Sequence, residues 1–174
     1  MPTNLQADLE RLNLLPASEA ENELLKCCGC NEWAQSLIAQ RPFESVDDLI
    51  TKADRVWWSL EPRQWLEAFH SHPKIGERQA ARATAAEAQK WSTDEQSGIR
   101  NSAPDTIVTL AELNRRYEEK FGYIFIVCAS GKSSEEMLSI LRERLENPPD
   151  DELRIAAAEQ AKITALRLEN LVKT

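Results

Sequence analysis

The chain has 174 residues, a formal net charge of −8 and 42% apolar residues, which suits one globular domain with a buried core. The acidic surface repels phosphate backbones, so we expect no nucleic-acid partner. No apolar run approaches the roughly 20 residues that cross a bilayer, and residues 1–10 lack the pattern of a signal peptide. We therefore expect a cytoplasmic protein with no membrane contact, whose four cysteines are reduced thiols.

Signals for helix starts recur along the whole chain, and they predict an all-α domain of eight or nine helices over residues 1–174. With only 5 glycines and 8 prolines, the chain has few breaks, so the helices should be long. The signals are capping boxes, single cap residues, helix-breaking prolines and an alanine-rich run. In chain order they are Ser18 with Glu21, Asn31, Ser45 with Asp48, Pro62, the run 77–90, Ser92 with Glu95, Asp105, Ser133 with Glu136, and the pair Pro148-Pro149.

The segment "GYIFIVCA", Gly122 to Ala129, departs from the helical pattern. Alone, this apolar and β-prone run is typical of a buried strand, but no partner strand is evident elsewhere. We expect an extended segment or a distorted helix. The following "CASGKSS" invites comparison with a phosphate-binding loop, but the glycine needed five residues before Gly131 is replaced by Ile126. Nucleotide binding is therefore excluded.

The cluster "CCGC" contains Cys27, Cys28 and Cys30. Zinc sites pair cysteines two to four residues apart and then repeat the pair, which this chain does not do. His70 and His72 are two residues apart, so on one helix their side chains would diverge. A metal-dependent hydrolase is thus disfavoured, and we expect no metal site. Small buried thiols near a helix end explain the cluster.

The stretch "FHSHPKIGE" holds both histidines of the chain. Because Pro73 disfavours helical backbone in the preceding residue, the helix from Pro62 should end at or before His72. The His72 ring would then be held outside helical geometry, where it can face a cavity and act on a substrate. A histidine that only completes a helix end is the competing interpretation.

Two further features invite a functional and a structural interpretation. "STDEQ" places Ser92, Glu95 and Gln96 at a helix N-terminus, where they could hold a polar anion or merely form a capping box. Arg167 lies on a largely apolar helix face. Its guanidinium could reach a buried anion, or its long side chain could extend outwards to solvent.

Five motifs occur here in one order: "RPF", "AFHSHPKIG", "STDEQ", "YEEKFGYIFIVCASGKS" and "KITALRLENL". This series resembles the 2-oxo-4-hydroxy-4-carboxy-5-ureidoimidazoline (OHCU) decarboxylases, and "CCGCNEWA" is similar to an N-terminal segment of that family. The resemblance runs from about residue 16 to the C-terminus. It implies an all-α fold, a homodimer, no cofactor, and conversion of OHCU to (S)-allantoin and carbon dioxide in urate breakdown.

The resemblance also implies roles for individual residues. His72 and Glu95 would be catalytic. The substrate-binding residues would be Pro73, Ser92, Gln96, Val127, Cys128, Ala129, Ser130, Gly131 and Arg167. The alternative is a helical interaction module without catalysis, which explains the helix caps and acidic surface equally well but leaves the positions of His72, Glu95 and Arg167 unexplained.

Overall fold

The computed structural model describes residues 4–72 and 104–173, and within them the chain forms eight α-helices and no strand. This confirms the all-α prediction. The helices are α1 Asn4–Leu14, α2 Ala17–Cys27, α3 Asn31–Ile38, α4 Val46–Ser59, α5 Pro62–His70, α6 Pro104–Phe121, α7 Ser134–Leu145 and α8 Pro149–Leu171. The helices predicted over 77–90 and from Ser92 lie outside the described residues. In the described ranges, each helix is too short or too polar to cross a membrane.

Several predicted helix starts are confirmed by their hydrogen bonds. The Ser45 hydroxyl accepts from the Asp48 N–H at 3.0 Å. The capping box of α7 is complete: Ser133 Oγ accepts from the Glu136 N–H at 3.1 Å, and the Glu136 carboxylate accepts from the Ser133 N–H at 2.8 Å. These bonds satisfy N–H groups that have no partner within the helix. Pro62 begins α5, as its fixed φ favours.

Other predicted starts are wrong by one or two residues. Ser18 lies inside α2, because Pro16 takes the N-cap position with φ −51° and ψ 146° and the helix starts at Ala17. Asn31 is the first residue of α3 and not its cap. Its backbone N–H and side-chain amide both donate to the Glu67 carboxylate, at 3.1 and 2.9 Å, so a distant residue decides its orientation. Helix α1 was not predicted.

The chain divides into two compact units, the first formed by residues 1–68 and 161–174 and the second by residues 69–160. In the first unit, α3 packs against both α2 and α4. Its core contains fully buried Leu24, Trp33 and Leu37. The Trp33 indole N–H donates to the Ala53 carbonyl at 3.1 Å. A buried tryptophan stabilises a core best when this N–H is paired, as it is here.

The "RPF" motif stabilises the end of α1 in the first unit. Arg41 Nη1 donates to the carbonyls of Leu12, Asn13 and Leu15, at 3.1, 3.3 and 2.7 Å. The Asn13 side-chain amide pairs with both backbone groups of Phe43, accepting its N–H at 2.8 Å and donating to its carbonyl at 2.9 Å. The last carbonyls of a helix lack partners within the helix, so Arg41 supplies donors that α1 needs.

In the second unit, α6 packs against α7, and the run from Tyr123 to Ala129 is neither helix nor strand. The run is thus not a distorted helix, which was one of the two predicted conformations. The run has no strand partner in the described residues, so side chains bind its backbone. Arg144 Nη1 donates to the Ile126 carbonyl at 2.6 Å. Arg144 is itself fixed by a buried ion pair with Glu152, at 2.6 Å.

The Arg144–Glu152 ion pair lies beside a cluster of aromatic rings. The Tyr117 hydroxyl donates to Glu152 Oε1 at 2.5 Å. The Tyr117 ring lies 4.6 Å from that of Phe121 and 5.4 Å from that of Phe125, and both contacts are favourable tilted or edge-to-face arrangements. Burial raises the pKa of Tyr117, so the hydroxyl keeps its proton and remains a donor.

Candidate active site

His72 lies just beyond the end of α5 in the second unit. The helix ends at His70, and the His72 N–H donates to the Phe69 carbonyl at 3.3 Å, which closes one tight turn. His70 is exposed on the helix, whereas His72 is half-buried. The predicted difference between the two histidines is therefore confirmed: His70 belongs to the helix, and His72 lies outside it.

The His72 ring contacts a buried glutamine that the sequence did not bring to attention. His72 Nε2 lies 2.5 Å from Oε1 of Gln160, which is on α8 and is fully buried. A signal was present in the sequence. Gln160 precedes Arg167 by seven residues, about two helical turns, so both fall on the face that the apolar pattern marks as inward.

The predicted substrate-binding segment Val127–Gly131 lies in the same unit as His72. It has no regular secondary structure up to Ala129 and then turns, with the Lys132 N–H donating to the Ala129 carbonyl at 3.0 Å. Gly131 has a φ of +73°, which glycine adopts without the strain that a Cβ would bring. The turn leads directly into the capping box of α7.

Cys128, at the centre of this segment, is fixed through its backbone. Its N–H donates to Glu159 Oε2 at 2.8 Å, and its carbonyl accepts from Lys132 Nζ at 2.8 Å. Glu159 and Gln160 are adjacent on α8. A helix turns by about 100° per residue, so adjacent side chains leave it in different directions. Within the second unit, one turn of α8 thus reaches both His72 and the segment around Cys128.

Arg167 lies in the first unit and is buried, with 5% of its surface exposed. Of the two alternatives for this residue, extension of its side chain to solvent is therefore wrong. Its Nη1 lies 3.5 Å from the carbonyl of Cys27, the last residue of α2. The C-terminal end of a helix carries partial negative charge, which favours a buried guanidinium there.

Cys27, Cys28 and Cys30 are fully buried and form no disulfide. This confirms the expectation of small buried thiols. Burial raises the pKa of Cys27 to about 12, and the nearby Arg167 charge offsets this only in part. Burial also raises the pKa of Cys28 and Cys30. Because the thiolate is the reactive form, these thiols are poor nucleophiles near neutral pH.

The remaining predicted site residues, Pro73, Ser92, Glu95 and Gln96, lie outside the described residues. In ranges 4–72 and 104–173, no three histidine, cysteine or acidic side chains lie close enough together to hold a metal ion. Of the predicted site residues that the structure describes, His72 and the segment Val127–Gly131 lie in the second unit, and Arg167 lies in the first.

Comparison with known sequences shows similarity to OHCU decarboxylases along most of the chain. The family model for OHCU decarboxylase matches residues 13–169. The uric acid degradation bifunctional protein TTL of Arabidopsis thaliana is 39% identical over 152 residues, which is 87% of this chain and 47% of that protein. OHCU decarboxylase of Amia calva is 30% identical over 83% of this chain and 82% of its own length. The chain thus spans about half the length of the plant relative.

Two solved structures share the fold. The crystal structure of OHCU decarboxylase in the presence of (S)-allantoin superposes with a TM-score of 0.75 at 36% identity, over 88% of this chain and 99% of that one. A crystal structure of (S)-allantoin synthase superposes with a TM-score of 0.69 at 18% identity, and at that identity the likeness concerns the fold alone. Because a family model covers residues 13–169 and a structure at 36% identity shares the fold, the chain belongs to the OHCU decarboxylase family.

Proposed function

We propose that this chain is a carbon–carbon lyase that converts OHCU to (S)-allantoin and carbon dioxide in urate breakdown, without a cofactor. The family match and the names of its relatives support this activity. The observation that carries it is the placement of His72. Its ring is fixed just beyond α5 and tied to buried Gln160, in the unit that also holds the segment around Cys128.

The reaction itself explains why no cofactor is required. Breaking the bond to the carboxylate releases carbon dioxide and an electron pair. The ring C=N bond beside the carboxylated carbon accepts that pair. The neighbouring hydroxyl then loses its proton to give a carbonyl, and the ring nitrogen of that C=N bond and the carbon that bears the ureido group each gain a proton. The protein has to orient the carboxylate out of the ring plane and move these protons.

Roles for the residues follow from their chemistry and from the family resemblance. His72 exchanges a proton with the substrate hydroxyl or ring. Glu95 holds the imidazole or a ureido N–H, and Gln96 and Arg167 hold carbonyl oxygens or the ureido arm. Pro73, Ser92 and the segment Val127–Gly131 line the substrate. Protonation on one face of the ring sets the S configuration.

We also propose a homodimer in the cytoplasm. The resemblance to the family supports the homodimer, and the composition of the chain supports the location. Light scattering on purified protein, compared with the 19.7 kDa mass of one chain, tests the oligomeric state. A mass of one chain at working concentrations would contradict it.

The activity is tested by adding purified protein to freshly generated OHCU. Ultraviolet absorbance follows the decay of OHCU, and circular dichroism follows the handedness of the allantoin formed. OHCU decays spontaneously to racemic allantoin, so the enzyme should give both a faster decay and one enantiomer. A decay rate equal to that without protein, with racemic product, would contradict the proposal.

The role of His72 is tested by a pair of variants. General acid–base catalysis contributes about 10²–10⁴ in rate, so His72→Asn should lower kcat at least about a hundredfold. The matched control is His70→Asn, because His70 is exposed on α5 and should keep wild-type kcat. Circular dichroism confirms that both variants fold. Wild-type turnover in His72→Asn would remove His72 from the mechanism.

A further inference from the structure

Gln160 is a fully buried amide side chain on α8, a helix rich in alanine, so its polar atoms need hydrogen-bond partners within the protein. A buried polar group costs free energy unless it is hydrogen-bonded. Oε1 of Gln160 lies 2.5 Å from His72 Nε2, and these residues are 88 positions apart in the chain. We infer that Gln160 is a positioning residue that holds the His72 ring by its Nε2–H and so fixes its tautomer. This inference rests on the proposed catalytic role of His72.

The direction of the hydrogen bond follows from the atoms that meet. An amide oxygen only accepts, so Nε2 of His72 must carry a proton and donate it. In the neutral ring, the lone pair then belongs to Nδ1. The tautomer therefore determines which nitrogen takes a proton from the substrate. Without an acceptor at Nε2, the ring could exchange tautomers and rotate, and part of the population would present the wrong nitrogen.

The choice of an amide over a carboxylate also has a consequence. A carboxylate at this distance would favour the imidazolium and raise the pKa of the histidine, because opposite charges stabilise each other. Gln160 orients the ring without adding a charge.

Glu159, the residue before Gln160, connects the same part of α8 to the segment around Cys128. Glu159 accepts the N–H of Cys128 at 2.8 Å, while Gln160 reaches His72. Both side chains start from one turn of α8, so the positions of His72 and the Cys128 backbone depend on the same stretch of helix. Gln160 thus positions the ring of His72 relative to the segment that is proposed to line the substrate.

The tautomer can be read directly, without substrate. The chain contains only two histidines, so protein labelled with ¹⁵N-histidine gives two sets of imidazole signals, and exposed His70 serves as the internal reference. Two-bond ¹⁵N–¹H correlations at pH 8 distinguish the tautomers. We expect His72 to be held as the Nε2–H tautomer in the wild-type protein and to become a mixture in Gln160→Met. An Nδ1–H tautomer in the wild-type protein would overturn the inference.

Two substitutions then separate positioning from packing. Gln160→Met has similar size but no acceptor, and it should lower kcat about tenfold or more while KM changes by less than about threefold, since acid–base catalysis is impaired and binding is not. Gln160→Glu keeps the acceptor and adds a charge. It should retain more activity than Gln160→Met, with the acid limb of its pH–rate profile raised by about one unit or more.

The controls decide between the possible outcomes. Exposed Gln35 on α3 receives the same two substitutions and should leave kcat and the pH profile unchanged. Equal losses in Gln160→Met and Gln160→Glu, with unchanged pH profiles, would mean that Gln160 only packs, and would overturn the inference. If His72→Asn keeps its activity, the proposed catalytic site itself is wrong. If His72→Asn is inactive while Gln160→Met is as active as wild type, only the positioning role fails.

Discussion

Removing the buried arginine of the second unit should destabilise the protein strongly. In Arg144→Met, the Glu152 carboxylate loses its cation while its side chain remains fully buried. The Ile126 carbonyl loses a donor at 2.6 Å. Arg144 also stacks on Phe125, with its guanidinium carbon 4.6 Å from the ring centroid. The methionine restores part of this packing but none of the polar contacts.

The expected cost follows from these contacts. Breaking a buried ion pair by removing one partner costs about 3–5 kcal/mol, and a buried carbonyl without a donor adds about 1–3 kcal/mol. Apolar contacts of the methionine offset part of this sum, so we expect a loss of about 3–5 kcal/mol in the free energy of unfolding. A loss of that size is a large fraction of the stability of a typical domain.

Urea denaturation followed by circular dichroism measures this loss. The control is Arg115→Met, which breaks the exposed pair between Arg115 and Glu119, also an arginine–glutamate pair, and should cost less than about 1 kcal/mol. In the double variant Arg144→Met with Glu152→Gln, the unpaired charge is gone and part of the stability should return. If Arg144→Met costs no more than Arg115→Met, the reasoning about the buried pair is refuted.

Two further predictions concern the first unit. The pKa of Cys27 is raised from 9.0 to about 12, so its stabilising effect is complete below pH 9 and is lost as pH rises towards 12, because the unfolded chain loses this proton first. For this thiol, the free energy of unfolding should fall by about 1.4 kcal/mol per pH unit between these two pKa values. Urea denaturation between pH 8 and 10.5 should show that the unfolding free energy of Cys27→Ala falls less steeply with pH than that of the wild type. An equally steep fall in both would contradict this. Arg41→Met should cost about 1–3 kcal/mol, because three carbonyls at the end of α1 lose their donor. Exposed Arg55→Met is its control, and similar melting temperatures for the two variants would contradict the role of Arg41.

The helices could be predicted from sequence where their ends are decided locally. The capping box of Ser133 and Glu136, the Ser45 cap and the start at Pro62 depend on residues within one turn of each other. The predicted helix ends were wrong or missing where contacts with residues distant in the sequence determine them. Asn31 donates to Glu67 instead of capping α3, and the end of α1 depends on Arg41. Such contacts join residues that no local pattern relates.

In the candidate site, too, features set by neighbouring residues could be predicted, whereas contacts between distant residues could not. His72 could be singled out because Pro73 restricts the backbone beside it, which is a local effect. The seven-residue spacing from Arg167 places Gln160 on the inward face of its helix, but its contact with His72 could not be predicted, since the two residues are 88 positions apart. Burial of Arg167 was one of two open alternatives, and the α2 carbonyl that decides between them is 140 residues away.

The apolar run from Tyr123 to Ala129 has a consequence for the chain before it folds. In the native protein, charged side chains bind its backbone, with Arg144 on the Ile126 carbonyl and Glu159 on the Cys128 N–H. In a newly made chain those side chains are not yet in place. The run then has the composition of a cross-β segment: apolar, β-prone and without proline. Lys120 and Lys132 flank it, and charges in such positions oppose stacking of identical segments. This stretch is therefore an aggregation hazard while the chain is unfolded, whatever its part in catalysis.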